Sequence, residues 1–312
     1  MHLEHIHLTP RTLHIYDCIE FNDRLRYVDV ASDVAFLAMD LDYQGRPDLA
    51  RHFLSKMSNA LRDRSMPNLM EFYKCYRAYV RGKVESLHSA ATETPKRERE
   101  LSAQRAHRYF RLALQYAVAG SQPVVLVVMG RVGSGKSTLA GALAGEVGWK
   151  VIASDRMRKK MAGLPLQKRS DRDTRARLYA PAMTEKIYQM LCRLAQECVR
   201  KQQSVILDAT FGRRIHRDRV KELCGRLGVI HRFIEVHTSD TVVKQRLKER
   251  DSQANVVSDA RLEDFDKLNR RYEAPSEVSF RELITANSAR SPEATLLEVL
   301  KKLVQLQLET TP

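Results

Sequence analysis

The sequence predicts an α/β domain, a parallel sheet flanked by helices, that follows a mostly helical segment at the start of the chain. A glycine-rich stretch, 130–137, lies between a continuous apolar run, 124–129, and a segment with helical spacing. Further apolar runs alternate with helical stretches down the chain, and two of them are closed by an aspartate. This alternation is typical of a parallel sheet, because parallel strands need a crossover between them.

The bulk composition is that of a globular chain with enough apolar residues for a sizeable core: 312 residues, 43% hydrophobic and 29% charged. No apolar run reaches the roughly 18 residues of a membrane span. The N-terminus lacks the basic and apolar regions of a secretion signal. The five cysteines have no metal-ligand spacing, so we expect structural thiols in a reducing cytoplasm.

The net charge of +15 is unevenly distributed along the chain. Residues 1–120 hold 18 lysines and arginines against 15 acids, whereas the remainder holds 35 against 23. The basic excess therefore lies with the glycine-rich half. It favours polyanionic ligands such as ATP and a phosphorylated or nucleic-acid acceptor. A solvated basic surface that aids solubility explains the excess equally well.

Residues 1–120 form the first predicted domain, and residues 121–312 the second. Apolar spacing over 29–42 predicts a helix, Pro47 suits the opening of the next one, and a last helix is expected over about 98–119. Leu13–Phe21 alternates as a half-buried strand does. Ser121–Pro123 is the short join to the second domain.

The first domain resembles the tail of the C-terminal lobe of an aminoglycoside phosphotransferase. His2-Leu3-Glu4-His5 is similar to the end of that family's catalytic loop, and Asp17 is similar to its metal-binding aspartate. The catalytic aspartate and the whole ATP-binding lobe would lie before Met1. The resemblance therefore implies a truncated kinase-like lobe, a structural remnant or the result of a late start codon. Ordinary polar surface is the alternative for Asp17 and these histidines.

The glycine-rich stretch matches the phosphate-binding pattern G-x-x-x-x-G-K-[ST] at every fixed position. The residues predicted to contact the nucleotide are Gly130, Arg131, Val132, Gly133, Ser134, Gly135, Lys136, Ser137 and Thr138. Its amides would surround phosphate oxygens at the positive end of the next helix. Lys136 would reach the β- and γ-phosphates of ATP, and the Ser137 hydroxyl would bind Mg²⁺. A glycine-rich turn without a ligand is the alternative.

Asp155 follows the second predicted strand, 148–153, at the ligand edge of the sheet. There its carboxylate would accept or orient the proton of an acceptor hydroxyl. Arg158, on the next predicted helix, is expected to face the same substrate. Ser154-Asp155 acting only as a helix cap is the alternative. A polar, arginine-rich stretch over 163–181 and a long amphipathic helix over about 181–201 come next.

Asp208 ends the third predicted strand, 203–210, and is expected to hold Mg²⁺ together with Ser137. The following residue is Ala209, whereas ATP-driven motors commonly carry a water-activating glutamate there. This difference favours a kinase over a motor. Arg213 or Arg214 would hold the acceptor or its phosphate.

Arg246 and Arg250 are spaced i,i+4 on the helix after the fourth strand, 228–236, so they share one face. We expect them to point at the ATP phosphates from a lid that excludes water. Two solvated arginines on a basic helix are the alternative. A fifth strand is expected over 280–285, with Asn287-Ser288 near the adenine, and a closing helix over 293–307.

Taken together, these segments resemble the zeta-toxin, polynucleotide-kinase and gluconate-kinase branch of P-loop kinases. The resemblance rests on Gly130–Thr138, Ser154-Asp155 with Arg158, Asp208–Phe211, Arg246–Arg250 and Val257–Ala260. It implies the P-loop NTPase fold and kinase chemistry. The order of the two halves is similar to that of bifunctional aminoglycoside phosphotransferase/ATP-binding proteins.

The leading hypothesis is a Mg²⁺- and ATP-dependent phosphotransferase with Lys136, Asp155, Arg246 and Arg250 as catalytic residues. The acceptor is a small metabolite, a nucleotide-sugar or a nucleic-acid end, and the sequence does not choose among them. A non-catalytic or regulatory ATP-binding module is the alternative, and motor-type hydrolysis ranks third. The sequence predicts no membrane partner and gives no oligomeric state.

Overall fold

The computed structural model describes residues 1–16, 22–167, 169–251 and 257–310. The chain divides into two compact units, with the boundary after Ser121. The first unit is Met1–Ser121 with the last residues of the chain from Gln307, and the second is Gln122–Leu306. Asp17, the candidate metal-binding residue of the first unit, lies outside the described residues.

The first unit is mainly helical. Its elements are a 3₁₀ turn (Leu3–His5), strands β1 (Ile6–Leu8) and β2 (Leu13–Ile15), and helices α1 (Asp23–Arg26), α2 (Val30–Tyr43), α3 (Pro47–Ala60), α4 (Met66–Ala90) and α5 (Lys96–Ala119). The two strands pair antiparallel, and the side chains of β2 are exposed. The expectation of a half-buried strand is therefore wrong for its described part, because β2 pairs only with β1.

Helices α4 and α5 pack closely in the first unit, and a glycine makes this possible. A Cβ atom at Gly82 would lie 2.8 Å from the ring of Phe110. Tyr109 and Tyr116 of α5 are buried with Met39 of α2. The buried Lys74 ammonium pairs with Asp42 at 2.7 Å, which offsets part of the cost of burying its charge.

The second unit is built on a parallel sheet in the order β4-β5-β3-β6-β7. The strands are β3 (Val124–Met129), β4 (Lys150–Ala153), β5 (Val205–Asp208), β6 (Ile230–His237) and β7 (Leu283–Asn287). The helices are α6 (Lys136–Val147), α7 (Ser154–Met161), α8 (Arg172–Leu178), α9 (Pro181–Arg200), α10 (Arg214–Leu227), α11 (Asp240–Asp251), α12 (Phe265–Asn269) and α13 (Pro292–Thr310), whose last residues, from Gln307, belong to the first unit.

Two elements of this unit differ from expectation. The fifth strand begins at Leu283 rather than at residue 280, and Phe280 is 81% exposed. Its start is set by pairing with β6, in which Phe233 faces Leu283. Helix α8 occupies part of the polar stretch for which no helix was expected, and the Asp171 carboxylate caps it by accepting from the Thr174 amide at 2.8 Å.

The central strand β3 is buried along its whole length, with β5 on one side and β6 on the other. Apolar side chains of α9, among them Ile187 and Leu191, and of α10, among them Val220 and Leu223, join it in the core. The chain first builds the β4-β5 side of the sheet and then the β6-β7 side. The direction of winding therefore changes at the carboxyl end of β3, where open α/β sheets bind their ligands.

Candidate functional site

The loop after β3 has a backbone shape that only glycine adopts easily. Gly130, Gly133 and Gly135 have φ angles of 139°, 76° and 95°. A Cβ atom at Gly130 would lie 2.3 Å from the Val236 carbonyl oxygen of β6, and one at Gly133 would lie 2.8 Å from Val243 of α11. The loop is therefore both turned and tightly packed against β6 and α11.

Side chains of the loop fix its position. The Arg131 guanidinium pairs with Asp240 at 2.7 Å and donates to Asn269 at 2.8 Å. Val132 packs against the apolar cluster that Val243 forms with other residues of α11 and α12. Arg131 and Val132 therefore anchor the loop, which leaves their backbone as the part that can contact a ligand.

Lys136 is the first residue of α6, and its Nζ donates to the Arg131 carbonyl oxygen at 2.7 Å. Burial lowers the pKa of Lys136, while the charges of Asp208 and Asp155 raise it and that of Arg250 lowers it further. Lys136, Asp155, Asp208 and Arg250 all line one cleft. The structure thus brings together four residues that lie up to 114 positions apart in the numbering.

Ser137 and Asp208 form the candidate metal pair. Asp208 ends β5, and its carboxylate is buried beside the Ser137 side chain. Burial raises the pKa of Asp208, and the Ser137 hydrogen bond and the Lys136 charge oppose that rise. A hydroxyl beside one carboxylate fits Mg²⁺, which proteins hold through one or two carboxylates together with substrate phosphates. No group of three or more metal-ligating side chains occurs among the described residues.

Asp155 lies in the first turn of α7, directly after β4. The helix has Ala153 at its N-cap position, without a side-chain cap, so the capping role considered for Ser154-Asp155 does not occur. The Tyr179 hydroxyl donates to Asp155 Oδ1 at 3.2 Å. Burial and the Asp155 charge raise the pKa of Tyr179 well above its ordinary value, which keeps the phenol protonated as a donor.

Arg158 is buried, and its guanidinium donates hydrogen bonds to groups of the protein itself. Its Nη1 donates to the Leu178 carbonyl oxygen at 2.7 Å and to Thr184 Oγ1 at 3.2 Å. The guanidinium also lies over the Tyr179 ring, 4.8 Å from its centroid. Arg158 lines the cleft, and its contacts tie α7 to α8 and α9.

The two arginines at the start of α10 have different surroundings. Arg213 lines the cleft and, within the described part of the chain, makes no ion pair. Arg214 Nε instead donates to Asp218 at 3.2 Å, one helical turn away, and Arg214 is not among the cleft residues. The geometry therefore brings Arg213 to the cleft but not Arg214.

Arg246 and Arg250 lie one turn apart on α11 and face different partners. Arg246 donates to Ser288 Oγ at 2.9 Å and to the Ser288 carbonyl oxygen at 2.6 Å. Ser288 in turn donates to the Ser134 carbonyl oxygen at 2.6 Å, so Arg246 is linked to the glycine loop. Burial and the Arg246 charge lower the pKa of Arg250, while the Asp155 charge raises it.

A group of aromatic residues around the turn that follows Asp208 was not predicted from the sequence. Phe211 is buried with a φ of 43°, and its amide donates to the Tyr188 hydroxyl at 3.0 Å. That hydroxyl shares a further hydrogen bond of 3.0 Å with Thr210. The His216 ring stacks on Tyr188 at 3.7 Å, and burial lowers the pKa of His216 to about 4. These contacts fix the turn that follows the metal-site aspartate.

Arg217 was also missed as a site-shaping residue. It is fully buried, and its guanidinium makes a two-point contact with Glu277, at 2.5 and 3.0 Å. It also donates to the carbonyl oxygens of Phe211 and Glu273, at 2.8 and 3.0 Å. Arg217 thereby links the Asp208–Phe211 turn to the segment that carries Glu273 and Glu277. The sequence offered no signal for this, because its partner lies 60 residues away.

These residues line a cleft of about 1720 Å³ that extends from Lys136 and Asp208 past Asp155 to Arg213 and Arg271. Pockets for a single small molecule typically measure about 300–1,000 Å³. A smaller pocket of about 250 Å³ lies beside it, lined among others by Thr138, Arg246 and Ser288. The cleft therefore has room for more than one ligand at the carboxyl ends of the strands.

Comparison with known proteins finds matches to part of the chain. A family model described as an AAA domain matches residues 125–275. Uncharacterized proteins of Mycobacterium tuberculosis and Mycobacterium bovis are 36% identical over 198 residues, which is 64% of this chain and 38% of theirs. The matching segment thus spans less than half the length of these relatives.

Two solved structures resemble part of the chain. A gluconokinase from Sinorhizobium meliloti is 20% identical with a TM-score of 0.41, over 61% of this chain and 95% of that one. A shikimate kinase from Aquifex aeolicus is 18% identical with a TM-score of 0.39, over 58% and 95%.

Nothing in the structure or the comparisons supports the aminoglycoside phosphotransferase-like interpretation of residues 1–120. Within the described part of the chain, no helix is long and apolar enough to cross a bilayer. The second unit combines a parallel sheet flanked by helices, a glycine loop after its central strand and an aspartate at the end of the neighbouring one. The chain therefore carries the P-loop NTPase fold.

Proposed function

We propose that the protein is a Mg²⁺- and ATP-dependent phosphotransferase that moves the γ-phosphate to a hydroxyl group of an acceptor. The observation that carries the proposal is the position of Asp155. Asp155 lines the same cleft as Lys136, Asp208 and Arg250, which supports a role for its carboxylate next to the phosphate-binding lysine and the proposed metal-site aspartate. A carboxylate in this place suits a proton acceptor for an incoming hydroxyl.

The nucleotide would bind with its phosphates in the glycine loop. The loop amides and the N-terminus of α6 supply donors, and Lys136 would exchange the Arg131 carbonyl oxygen for a phosphate oxygen. Ser137 and Asp208 would hold Mg²⁺, which neutralises charge on the phosphates. The smaller pocket beside Thr138, Arg246 and Ser288 suits the nucleoside end.

Asp155 and Arg250 have separate parts in the transfer. Asp155 accepts the proton of the acceptor hydroxyl, and the Tyr179 hydroxyl orients its carboxylate. Arg250 stabilises the charge that develops on the transferred phosphoryl group. Arg246 acts on the phosphates indirectly, because it donates a hydrogen bond to Ser288, which in turn donates to the glycine loop.

The arginines of the cleft favour an acceptor that carries a negative charge. Arg213 and Arg271 lie on adjoining loops, since the Glu273 amide donates to the Gly212 carbonyl oxygen at 2.8 Å. Both line the cleft, and within the described part of the chain neither makes an ion pair. Unpaired guanidinium groups suit phosphate or carboxylate. Small phosphorylated metabolites, nucleotide-sugars and nucleic-acid ends all carry such a group.

A cytoplasmic location belongs to the proposal, because ATP is the phosphate donor. The thiols of Cys75, Cys192, Cys198 and Cys224 are free, which fits a reducing compartment.

The experiment is an acceptor screen with ATP labelled in its γ-phosphate. Separate pools contain phosphorylated sugars, nucleotide-sugars and oligonucleotides with free hydroxyl ends, each beside its uncharged counterpart. The matched control is Lys136→Met, which lacks the phosphate-binding ammonium. Label moved to an acceptor by the wild type and not by Lys136→Met supports the proposal. ATP binding without transfer in any pool contradicts it and favours a non-catalytic ATP-binding module.

A further inference from the structure

Asp259 is a buried carboxylate that the proposed chemistry does not use. It lies on the segment Val257–Arg261, between α11 and α12, and borders the cleft. Its Oδ1 accepts from the Ser170 amide and its Oδ2 from the Ser170 hydroxyl, both at 2.9 Å. The segment is thus fixed to the residues just before α8.

A second partner of Asp259 lies on the helix that begins at Asp155. Lys159 Nζ is 3.5 Å from Asp259 Oδ1 and donates to the Leu166 carbonyl oxygen at 3.0 Å. The Lys159 and Asp259 side chains are 1% and 2% exposed. Lys159 is four residues after Asp155, so both side chains project from the same side of α7. The helix of the proposed base is therefore tied to Asp259.

The residues around Ser170 also reach the helix of Arg250. Arg169 donates to the Arg250 carbonyl oxygen at 2.6 Å, and Arg261 donates to the Ser170 carbonyl oxygen at 3.1 Å. Farther along, Arg175 of α8 pairs with Asp264 at 2.6 Å. The stretch 169–175 thus contacts the C-terminal end of α11 through Arg169 and the residues before α12 through Arg175. Through Ser170 and Asp259 it is also connected to α7.

Stability alone does not explain why the charged pair Lys159–Asp259 is buried. Removing an aspartate and a lysine from water is costly, and apolar side chains of similar size often stabilise a fold as well or better. Fully bonded polar groups do specify a unique geometry, because any other arrangement leaves a buried charge without a partner. Here the bonded groups connect α7, which carries Asp155, with the residues that contact the Arg250 backbone.

We propose that Asp259 is a positioning residue that couples the acceptor-side helix α7 to the arginine-bearing helix α11. Its two carboxylate oxygens are engaged by Ser170 and Lys159. Through Lys159 it fixes the helix that carries Asp155, and through Ser170 and Arg169 it fixes the end of the helix that carries Arg250. Nucleotide bound by Arg250 therefore orders α7 before any acceptor arrives. This inference rests on the proposed function only in that ATP binds at the glycine loop.

The test is hydrogen–deuterium exchange of backbone amides with and without Mg²⁺ and the non-hydrolysable ATP analogue AMP-PNP, so no acceptor is needed. In the wild type we expect the analogue to slow exchange in the glycine loop, in α11 and in α7. Coupling between two sites is commonly worth about 5–150-fold, and we expect about tenfold slowing in α7. In Asp259→Asn the loop and α11 remain protected, and the slowing in α7 falls to less than about twofold.

Two further variants separate coupling from folding. Asp259→Asn removes the negative charge next to the buried Lys159 ammonium, so this variant will also melt at a lower temperature. The double variant Lys159→Met with Asp259→Asn removes that buried charge. It is expected to regain melting temperature without regaining the protection of α7. Asp218→Asn, which removes an exposed carboxylate paired with Arg214, is the charge-matched control and keeps full coupling.

The outcomes distinguish the two proposals. No protection of residues 130–138 in the wild type would overturn the proposed function. Protection of these residues without protection of α7 would overturn the inference alone, as would an Asp259→Asn variant that keeps the full slowing in α7. Once an acceptor is known, Asp259→Asn should lower kcat by about tenfold or more with the KM for ATP nearly unchanged, since coupling energies are of that size.

Discussion

The buried contact between Arg217 and Glu277 allows a quantitative prediction. Arg217→Met keeps most of the side-chain volume and removes a guanidinium that contacts Glu277 and two carbonyl oxygens. Removing one partner of a buried ion pair typically costs about 3–5 kcal/mol, because the other charge stays buried and unpaired. In a unit of this size 1 kcal/mol shifts the melting temperature by about 2–4 °C, so we expect a loss of about 10 °C.

The assay is thermal unfolding followed by circular dichroism, with exposed Arg226→Met on the same helix as the matched control. The double variant Arg217→Met with Glu277→Leu should melt above the single variant, because it leaves no buried carboxylate without a partner. A loss of less than about 2 °C for Arg217→Met, or a double variant that melts below the single one, would refute the reasoning.

Three further predictions concern the same unit. Burial lowers the pKa of His216 from 6.5 to about 4, so between these pH values the unfolded chain binds a proton that the folded chain does not. The free energy of unfolding therefore falls as the pH drops from 6.5 to about 4. His216→Phe should flatten that part of a profile of melting temperature against pH, and an unchanged slope would contradict this prediction. Gly130→Ala should weaken binding of Mg²⁺ and ATP by about tenfold or more in calorimetric titration, whereas Gly145→Ala, whose Cβ meets no neighbour, should bind normally. Arg250→Gln should lower kcat by about 100-fold or more, whereas Arg246→Gln should mainly raise the KM for ATP; the reverse pattern would exchange the two roles.

The parts of the site that the sequence predicted are those set by local structure. The eight residues of the glycine loop are consecutive, and each glycine is demanded by its own φ angle or by close packing. Asp155 and Asp208 were found because they follow apolar strands, and the ends of parallel strands meet at one edge of the sheet. The roles of both aspartates stay predictions.

The parts that the sequence did not predict depend on pairs of residues far apart in the chain. Arg217 meets Glu277 across 60 positions, and Ser170 meets Asp259 across 89. In the sequence these are ordinary charged and polar residues of a basic chain. Only the fold shows that they are buried and bonded to each other. The difference between Arg213 and Arg214 is of the same kind, because two neighbouring residues at the start of α10 project in different directions and only Arg213 lines the cleft.

Asp155→Asn tests the central claim most directly. The change keeps the shape of the side chain and removes its ability to accept a proton, so the wild type and the variant are compared in γ-phosphate transfer and in calorimetric binding of Mg²⁺ and ATP. We expect transfer to fall by about 100-fold or more, in line with the loss of a general base, while the Kd for ATP stays within about twofold. Transfer at the wild-type rate would contradict the account, and so would an equal loss of ATP binding.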